Sequence, residues 1–488
     1  MSPPQVLAES APSSKESRGL ERHKNKGKYP CIMSDVIILS LDCVRPEAIS
    51  CFPSQFSAYR RIPYQAKTPN IDTVAGDGIL FTNAYCQAPF TPASHASVFT
   101  GKYPYEHGIR SMFGCTLRET VSTMAEQFSD AGYSTAGFIG AHALSDQYEL
   151  NRGFETWDAE FENGYDNWII GQRRPGDEVT DNALNWIENQ DTDTLLFMHY
   201  FDAHDGAGDF TDEKNEESLK DRLFGLNFLE YLYSDSLRSL DDAAGAPLKK
   251  AYRSWQNLTQ DQPIGLRYHL QQVQRIDKEI GRLTEKLKKE GTYQETTIIL
   301  FADHGDSFGE HGEIGHRKYL YDTTMRVPLI IKPAADAVLP REQTCDELVG
   351  LVDLFPTVAD IEGIDIPAVS GTSLVTDADN LDKRYLYGET RHEQSVDQIT
   401  SIESDLVSIR NEKWKLIIDE TTGNEELYNT QSDPDEKHDV SKENSDIVGQ
   451  LSSELGTMRS PYPTKDEDID MNLDKSTAKE RLEGLGYL

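Results

Sequence analysis

The chain is predicted to be an α/β protein with a mostly parallel central sheet and a smaller antiparallel sheet towards its C-terminal end. Three observations predict it. Short apolar runs rich in β-branched residues, such as Val36-Ile-Ile-Leu-Ser-Leu, Thr194-Leu-Leu-Phe-Met-His and Thr297-Ile-Ile-Leu-Phe-Ala, read as strands buried on both faces. Segments with apolar residues at helical spacing alternate with them, as helical crossovers between parallel strands would. From about residue 376 the pattern changes to short strands separated by turns, which suits a small antiparallel sheet.

Taken in order, residues 1–34 hold Lys, Arg, Ser and Pro but no apolar stretch of the kind a secretory signal needs, and are expected to be disordered. Met33 stands just before the first strand and is an alternative start, which an intact mass would decide. The first strand, Val36 to Leu41, ends in Asp42. After an irregular segment with Pro53, Pro63 and Pro69, Ile71 to Ala75 reads as a short helix and Gly78 to Tyr85 as a turn into a strand. In Phe90-Thr-Pro-Ala-Ser-His-Ala-Ser-Val-Phe-Thr-Gly101, Thr91 is expected as the helix N-cap, Pro92 as its first helical residue and Gly101 as its stop. Val121 to Ala131 and Asp177 to Glu188 follow as helices. Thr135 to Gly140 and Thr194 to His199 follow as strands.

Residues 206–262 form a polar, acidic insertion, read as a surface excursion over the site. Leu266 to Lys288 is a long amphipathic helix with Leu270, Val273, Ile276, Ile280, Leu283 and Leu287 on one face. It leads into the strand Thr297 to Ala302. Val327 to Lys332 adds a strand and Leu348 to Ala359 a helix. The segments 384–388, 405–410 and 413–419, closed by Glu426 to Asn429, make up the small sheet. The units read from this pass are a domain over 35–375, a subdomain over 376–441, and an acidic tail over 442–488.

The charge is lopsided: 48 Lys and Arg stand against 83 Asp and Glu, a formal net charge of -35. That sign opposes nucleic acid and anionic membrane as partners. Self-repulsion on this scale is relieved by concentrated salt, so a halophilic cytoplasm is the favoured setting. Six cysteines without a C-x-x-C pair make neither a disulfide framework nor a zinc knuckle. No run of 18 apolar residues exists, so no membrane insertion is expected. A cytoplasmic location is expected; the oligomeric state is not legible.

Chemistry concentrates where strands end. Asp303-His304-Gly305-Asp306 follows the strand at 297–302, and His304, His311 and His316 lie within thirteen residues. A carboxylate beside an imidazole at a sheet edge is a natural pair of ligands for a divalent cation. Asp42 occupies the same place on the first strand, and a mostly parallel sheet would bring the two ends into one cleft. His204, flanked by Asp202 and Asp205, is a third contributor; His199 reads as a core residue.

These residues resemble the sulfatase family of the alkaline-phosphatase superfamily, over nearly the whole span from Asp35 to Val440. The resemblance rests on Leu41-Asp42 with Arg45, Thr100-Gly101 with Tyr103-Pro104 and His107-Gly108, and His199 through His204. It rests further on Asp303-His304-Gly305, Gly309-Glu310-His311-Gly312, Val327-Pro328, Asp353-Leu354 with Pro356-Thr357, Gly371 to Leu374, Leu427-Tyr428 and Asp433-Pro434. It implies an alkaline-phosphatase-like α/β/α sandwich and a small-molecule, glycan-linked or lipid-linked anionic ester as substrate. The chain departs from the family at the nucleophile. Sulfatases carry C/S-x-P-S-R nine residues before Thr-Gly, and its first residue is oxidised to formylglycine. Here that position is Thr91, with Ala93 and His95 at the family's Pro and Arg. Oxidising threonine's secondary carbinol would give a ketone, so no formylglycine is expected.

The resemblance therefore points to the threonine-bearing branches, which transfer phosphoryl groups through a metal-activated hydroxyl. It implies Asp42, Thr91, Asp303 and His304 as ligands of a divalent cation (Mn²⁺, Mg²⁺, Ca²⁺ or Zn²⁺), with Thr91 as nucleophile and Ser94 as its substitute if the register slips. His204, His311 and His316 are expected to hold the anion, protonate the leaving group or supply a second cation site. Arg45, His95 and His204 are expected substrate contacts, Arg45 equally a structural ion-pair partner. The expected reaction is hydrolysis of phosphoric mono- or diesters or of sulfuric esters. The alternatives are a sulfuric ester hydrolase without formylglycine, a phosphoryl-group transferase and a non-catalytic metal-binding scaffold.

Overall fold

The computed structural model describes residues 34–53, 66–112, 114–161, 173–204, 266–335, 344–375, 384–391 and 404–460. The expectations for the N-terminal segment before residue 34, the acidic insertion and the tail beyond residue 460 lie outside these residues.

Among the described residues the main sheet has nine strands: β1 (Val36–Leu41), β2 (Ile79–Tyr85), β3 (Ser134–Phe138), β4 (Thr156–Asp158), β5 (Thr194–Tyr200), β6 (Thr297–Ala302), and, after the hairpin β7 (Ser307–Phe308) and β8 (Ile314–Gly315), β9 (Arg326–Lys332), β10 (Thr344–Cys345) and β11 (Val349–Gly350). Their order is β10-β2-β9-β6-β1-β5-β3-β4, with β11 also on β2. All pairings are parallel except those of β9, which runs antiparallel to β2 and β6. Four further strands, β12 (Leu386–Thr390), β13 (Leu406–Arg410), β14 (Trp414–Asp419) and β15 (Glu425–Asn429), form the antiparallel sheet in sequential order. The expected α/β class is what the chain adopts.

Among the described residues the α-helices are α1 (Pro69–Gly76), α2 (Thr91–Thr100), α3 (Pro104–His107), α4 (Met124–Asp130), α5 (Gly176–Ile187), α6 (Leu266–Glu290), α7 (Asp322–Met325), α8 (Leu354–Glu362) and α9 (Ser445–Arg459). They pack in two groups, α1, α5 and α6 together and α2, α3, α4 and α8 together, as expected of a sheet covered on both sides. The six apolar residues read as the inner face of α6 are all buried, at 1% exposure or less. Helix α9 lays Val448, Leu451 and Leu455 on the small sheet beside Val407, Ile409 and Leu416.

Three local readings are corrected. Thr91 is not the N-cap of α2; Phe90 holds that place in extended backbone, and Thr91 and Pro92 are the first two helical residues. Val121 and Ser122 precede α4, whose cap is Thr123, with its hydroxyl accepting from the Glu126 amide. The stretch from Leu348 begins as strand β11 and a 3-10 turn, and becomes α-helical only at Leu354. Short apolar runs do not separate buried strand from buried helix by periodicity alone.

Candidate active site

Strand β1 lies between β5 and β6, all three parallel, with Leu41 opposite Tyr200 on one side and Ala302 on the other. The next residues, Asp42 and Asp303, therefore leave the sheet side by side although about 260 positions separate them in sequence. Both are completely buried. Helix α2 starts over the same edge and brings Thr91 down to it. The Thr91 hydroxyl donates to Asp42 Oδ2 at 3.2 Å and lies 3.4 Å from His304 Nε2. His304 Nε2 is in turn 3.4 Å from Asp303 Oδ2 and 3.9 Å from Asp42 Oδ1.

The donor set fits a divalent cation. Ligand atoms of Asp42, Asp303 and His304 all lie within 4.8 Å of one another. Asp42 Oδ1 and Asp303 Oδ2 are buried and accept no hydrogen bond, so two anionic oxygens face each other without a proton donor. His304 Nδ1 lies 3.0 Å from the Gly305 carbonyl, which fixes the proton there and leaves Nε2 bare, as a metal ligand must be. Electrostatics tell the same story. Burial, reinforced by the Asp42 carboxylate, pushes Asp303 up to about 6. Burial pushes Asp42 upward too, but the His199 hydrogen bond and the charges of His204 and His304 outweigh it and hold that carboxyl well below its usual range.

The supporting shell is built from neighbouring strands. Asp303 Oδ1 accepts from the His304 amide at 2.9 Å and the Cys43 amide at 3.3 Å. Gly305 must be glycine, because a Cβ there would sit 2.2 Å from the Thr323 carbonyl oxygen. His199, read from sequence as a core residue, places Nε2 3.1 Å from Asp42 Oδ2 and so orients the carboxylate. Its position on β5 opposite Ser40 could have signalled this, since the residue precedes the sheet edge by one.

Cys43 follows Asp42 out of the sheet and turns back towards the site. Its backbone is left-handed, with φ at 61°, a conformation that costs a non-glycine residue about 1–3 kcal/mol. The turn aims its thiol at His304 Nδ1 (3.8 Å) and His316 Nδ1 (3.6 Å). Burial and the carboxylates of Asp42, Asp306 and Asp303 push that thiol well above its ordinary pKa.

The remaining expected residues divide. His204 stacks on Phe201, with ring centres 4.2 Å apart, and meets His316 edge-on at 5.0 Å; His316 lies 4.4 Å from the His304 ring. Both thus join the cluster. His311 does not: it stacks on Tyr321 at 3.8 Å and is exposed. His95, expected as a substrate contact, is turned towards the sheet. It is fully buried, with Nε2 2.8 Å from Ser40 Oγ and Nδ1 2.8 Å from the Thr91 carbonyl, and burial lowers its pKa to about 3, so a neutral ring props the start of α2. Arg45 takes the second of its two expected roles, that of a structural ion-pair partner: it is fully buried and donates to Glu310 Oε1 at 2.8 Å and to the Asp306 carbonyl at 3.1 Å. Ser94 turns away and donates to the Asp303 carbonyl at 2.6 Å, which leaves Thr91 as the hydroxyl at the carboxylates.

Comparison with known proteins places this site in a family. The Sulfatase family profile matches residues 36–364, and a profile described as N-sulphoglucosamine sulphohydrolase, C-terminal, matches residues 309–461. An N-acetylglucosamine-6-O-sulfatase of Bacteroides thetaiotaomicron is 26% identical, the match covering 83% of this chain and 82% of that protein. A structure solved with its substrate D-glucosamine-2-N,6-O-disulfate has TM-score 0.62 and 22% identity, covering 90% of this chain and 100% of the other. The phosphonate monoester hydrolase of Agrobacterium radiobacter has the same TM-score, 0.62, at 18% identity, covering 88% of this chain and 96% of that one. With two thirds of its length matched by the family profile, the chain belongs to the sulfatase family of ester hydrolases.

Proposed function

We propose that this sulfatase-family enzyme uses the unmodified hydroxyl of Thr91 as its nucleophile, on a phosphoric or sulfuric ester, with phosphoric esters turned over faster. The observation that carries the reading is the placement of Thr91 Oγ1, 3.2 Å from Asp42 Oδ2 and 3.4 Å from His304 Nε2. Asp42, Asp303, His304 and Thr91 would hold the divalent cation that the sulfatase family typically uses. A bound cation there would lower the pKa of the Thr91 hydroxyl and offset anionic charge on the substrate.

In the reaction, Thr91 Oγ1 forms a bond to phosphorus or sulfur as the bond to the ester oxygen breaks. The proton lost from Oγ1 is returned to the departing alcohol. Water then attacks the same phosphorus or sulfur, breaks its bond to Oγ1, and gives its proton to restore the hydroxyl; a monoester ends as the inorganic anion and a diester as the remaining monoester. Asp42 is kept charged and oriented by His199 throughout. A threonine carries one hydroxyl on its reacting carbon, so the second step must cleave the bond to phosphorus or sulfur by external water. This requirement favours the phosphoryl group.

A second reading, hydrolysis of a sulfated sugar, is favoured by the names of the relatives, one an N-acetylglucosamine-6-O-sulfatase and one solved with a disulfated glucosamine. Nitrophenyl phosphate, bis-nitrophenyl phosphate and nitrophenyl sulfate, assayed side by side in molar salt on protein reconstituted with each cation, separate the two. Thr91→Ala is expected to lower turnover by about 10²-fold or more while the cation stays bound. Near-normal turnover in that variant rejects the nucleophile. Mass spectrometry of the wild-type peptide containing Thr91 should show an unmodified residue at rest and an adduct of the anion after rapid quenching; a ketone or other oxidised form would reject the unmodified hydroxyl.

The location is proposed to be a high-salt cytoplasm, on the charge of -35. No helix among the described residues is long and apolar enough to cross a membrane. Fractionation of cells grown in molar salt tests the assignment, and recovery of the protein outside the cell rejects it.

A further inference from the structure

We infer that Asp322 is a positioning residue of the reaction: gripped by Arg410 and Lys415 of the small sheet, it fixes α7 against the turn that carries Asp303 and His304. Asp322 acts there only through those two side chains, and its effect on cation binding rests on their reading as ligands. Helix α7 is a single turn of four residues, too short to keep its place by its own hydrogen bonds. Its first residue faces the small sheet. Asp322 is buried, and both of its carboxylate oxygens accept from Arg410 Nη1 of β13, at 2.8 and 3.0 Å. Lys415 Nζ of β14 lies 2.7 Å from Asp322 Oδ1 and 2.7 Å from Glu436 Oε1, while Glu436 Oε2 accepts from the Asp322 amide at 2.5 Å. Tyr321, the N-cap of α7, donates its hydroxyl to Glu426 of β15 at 3.0 Å. Burial pushes Asp322 upward, but the charges of Arg410 and Lys415 outweigh it and bring its pKa down to about 2, so the grip is ionic at neutral pH.

The next two residues of α7 face the site. The Thr324 carbonyl accepts from the Gly305 amide at 2.8 Å, and Thr323 Oγ1 lies 2.9 Å from Ser307 Oγ. The Thr323 carbonyl is the oxygen that leaves no room for a side chain at position 305. The Gly305 carbonyl in turn engages His304 Nδ1 at 3.0 Å, and Asp303 Oδ1 accepts from the His304 amide at 2.9 Å. Buried contacts thus run without a break from Arg410 and Lys415 through Asp322 and one helical turn to the peptide that fixes the tautomer of His304. Neutralising Asp322 leaves two buried cations facing a reduced counter-charge, so the sheet and α7 separate or repack. The turn then loses its backing on the side away from Asp42. A reacting geometry is sensitive to such a shift, since misplacement by about 1 Å costs about 10²-fold in rate.

Hydrogen exchange at the Gly305 amide of metal-free, full-length protein reads the bond between α7 and the turn with no cation present. Isothermal titration with Mn²⁺, beside kcat and KM for the nitrophenyl ester that wild type turns over fastest, reads the consequence. In Asp322→Asn, at a temperature where near-ultraviolet circular dichroism shows folded protein, Gly305 should exchange faster by about tenfold or more. Mn²⁺ affinity and kcat at saturating Mn²⁺ should each fall by about tenfold or more, with KM within about twofold of wild type. Glu389→Gln breaks a tie of the same joint whose partners, Arg110, Arg391 and Tyr387, all lie outside α7, and should leave the three readings near wild type. A merely structural role for Asp322 would move both variants alike. Arg410→Lys keeps the charge on Asp322 and should lie nearer to wild type than Arg410→Met, and that pair carries the same test should Asp322→Asn not fold. Unchanged Gly305 exchange, or faster exchange with unchanged affinity and kcat, overturns the positioning role. Faster exchange with lower kcat, where wild type itself takes up no Mn²⁺, rejects the cation reading and leaves the positioning role standing.

Discussion

Asp42 has to serve two neighbours at once, with one oxygen holding the Thr91 hydroxyl and the His199 ring and the other left without a hydrogen bond. Replacing His199 by Phe keeps the volume of the ring but removes that orienting contact. The expected result is a 10–100-fold loss in cation affinity or turnover, about the effect of deleting a partner of a metal ligand. Isothermal titration with Mn²⁺ beside kcat measurements checks it, and an unchanged affinity and kcat would return His199 to a packing role. Gly305 makes a complementary case. Its replacement by Ala forces the added carbon against the Thr323 carbonyl and within 3.2 Å of Arg45 Cγ, so the backbone carrying Asp303 and His304 must shift. A loss of activity without loss of the folded state is expected, read by kcat beside circular dichroism.

Among elements, the joint between the two sheets is tied by buried ions. Arg110 grips Glu389 of β12 through Nε at 2.6 Å and Nη2 at 2.8 Å, with Arg391 at 3.2 Å and the Tyr387 hydroxyl on the same carboxylate. Asp353 receives both Arg384 nitrogens at 2.6 and 2.8 Å, and Asp322 of α7 takes Arg410 and Lys415 from β13 and β14. Removing one member of such a set strands the others, so Glu389→Gln should destabilise the protein by about 3–5 kcal/mol. Burial alone would raise the Glu389 pKa, but the Arg110 and Arg391 guanidiniums outweigh it and hold it far below the ordinary value. The sign follows: with the folded value lower than the unfolded one, the stabilisation is complete above about pH 4.3 and is lost as pH falls through the folded value. Urea melts of wild type and Glu389→Gln should therefore differ most near pH 7 and converge on acidification below pH 4. A constant difference across that range would contradict the ionised state of Glu389.

For the whole molecule, a net charge of -35 stores repulsion that mobile ions screen within about 10 Å at 0.1 M salt and 3 Å at 1 M. The melting temperature should rise steadily from dilute buffer to molar NaCl; a flat profile would remove the case for a halophilic setting. The strands β1, β5 and β6 were legible as short apolar runs rich in β-branched residues, and the inner face of α6 as a helical period; both patterns are written into neighbouring residues and need no distant partner to be read. Asp42, Asp303 and His304 were legible for a related reason: parallel strands that begin together end together, so residues just past their ends share an edge. Direction and depth were not legible. His95 stands in the same short motif as Thr91, yet one helical turn carries it under the sheet edge while Thr91 stays on it, and only the packing of α2 against β1 decides which is which. His311 and His316 are five residues apart, and the β7–β8 hairpin sends one to Tyr321 and the other to Cys43. The amino-acid sequence by itself determined the sheet, its order of chemistry along the chain and the hydroxyl at position 91. The tertiary structure alone decided which histidines reach the carboxylates, because that depends on side-chain direction at contacts between residues far apart in the chain, where no local period exists to be read.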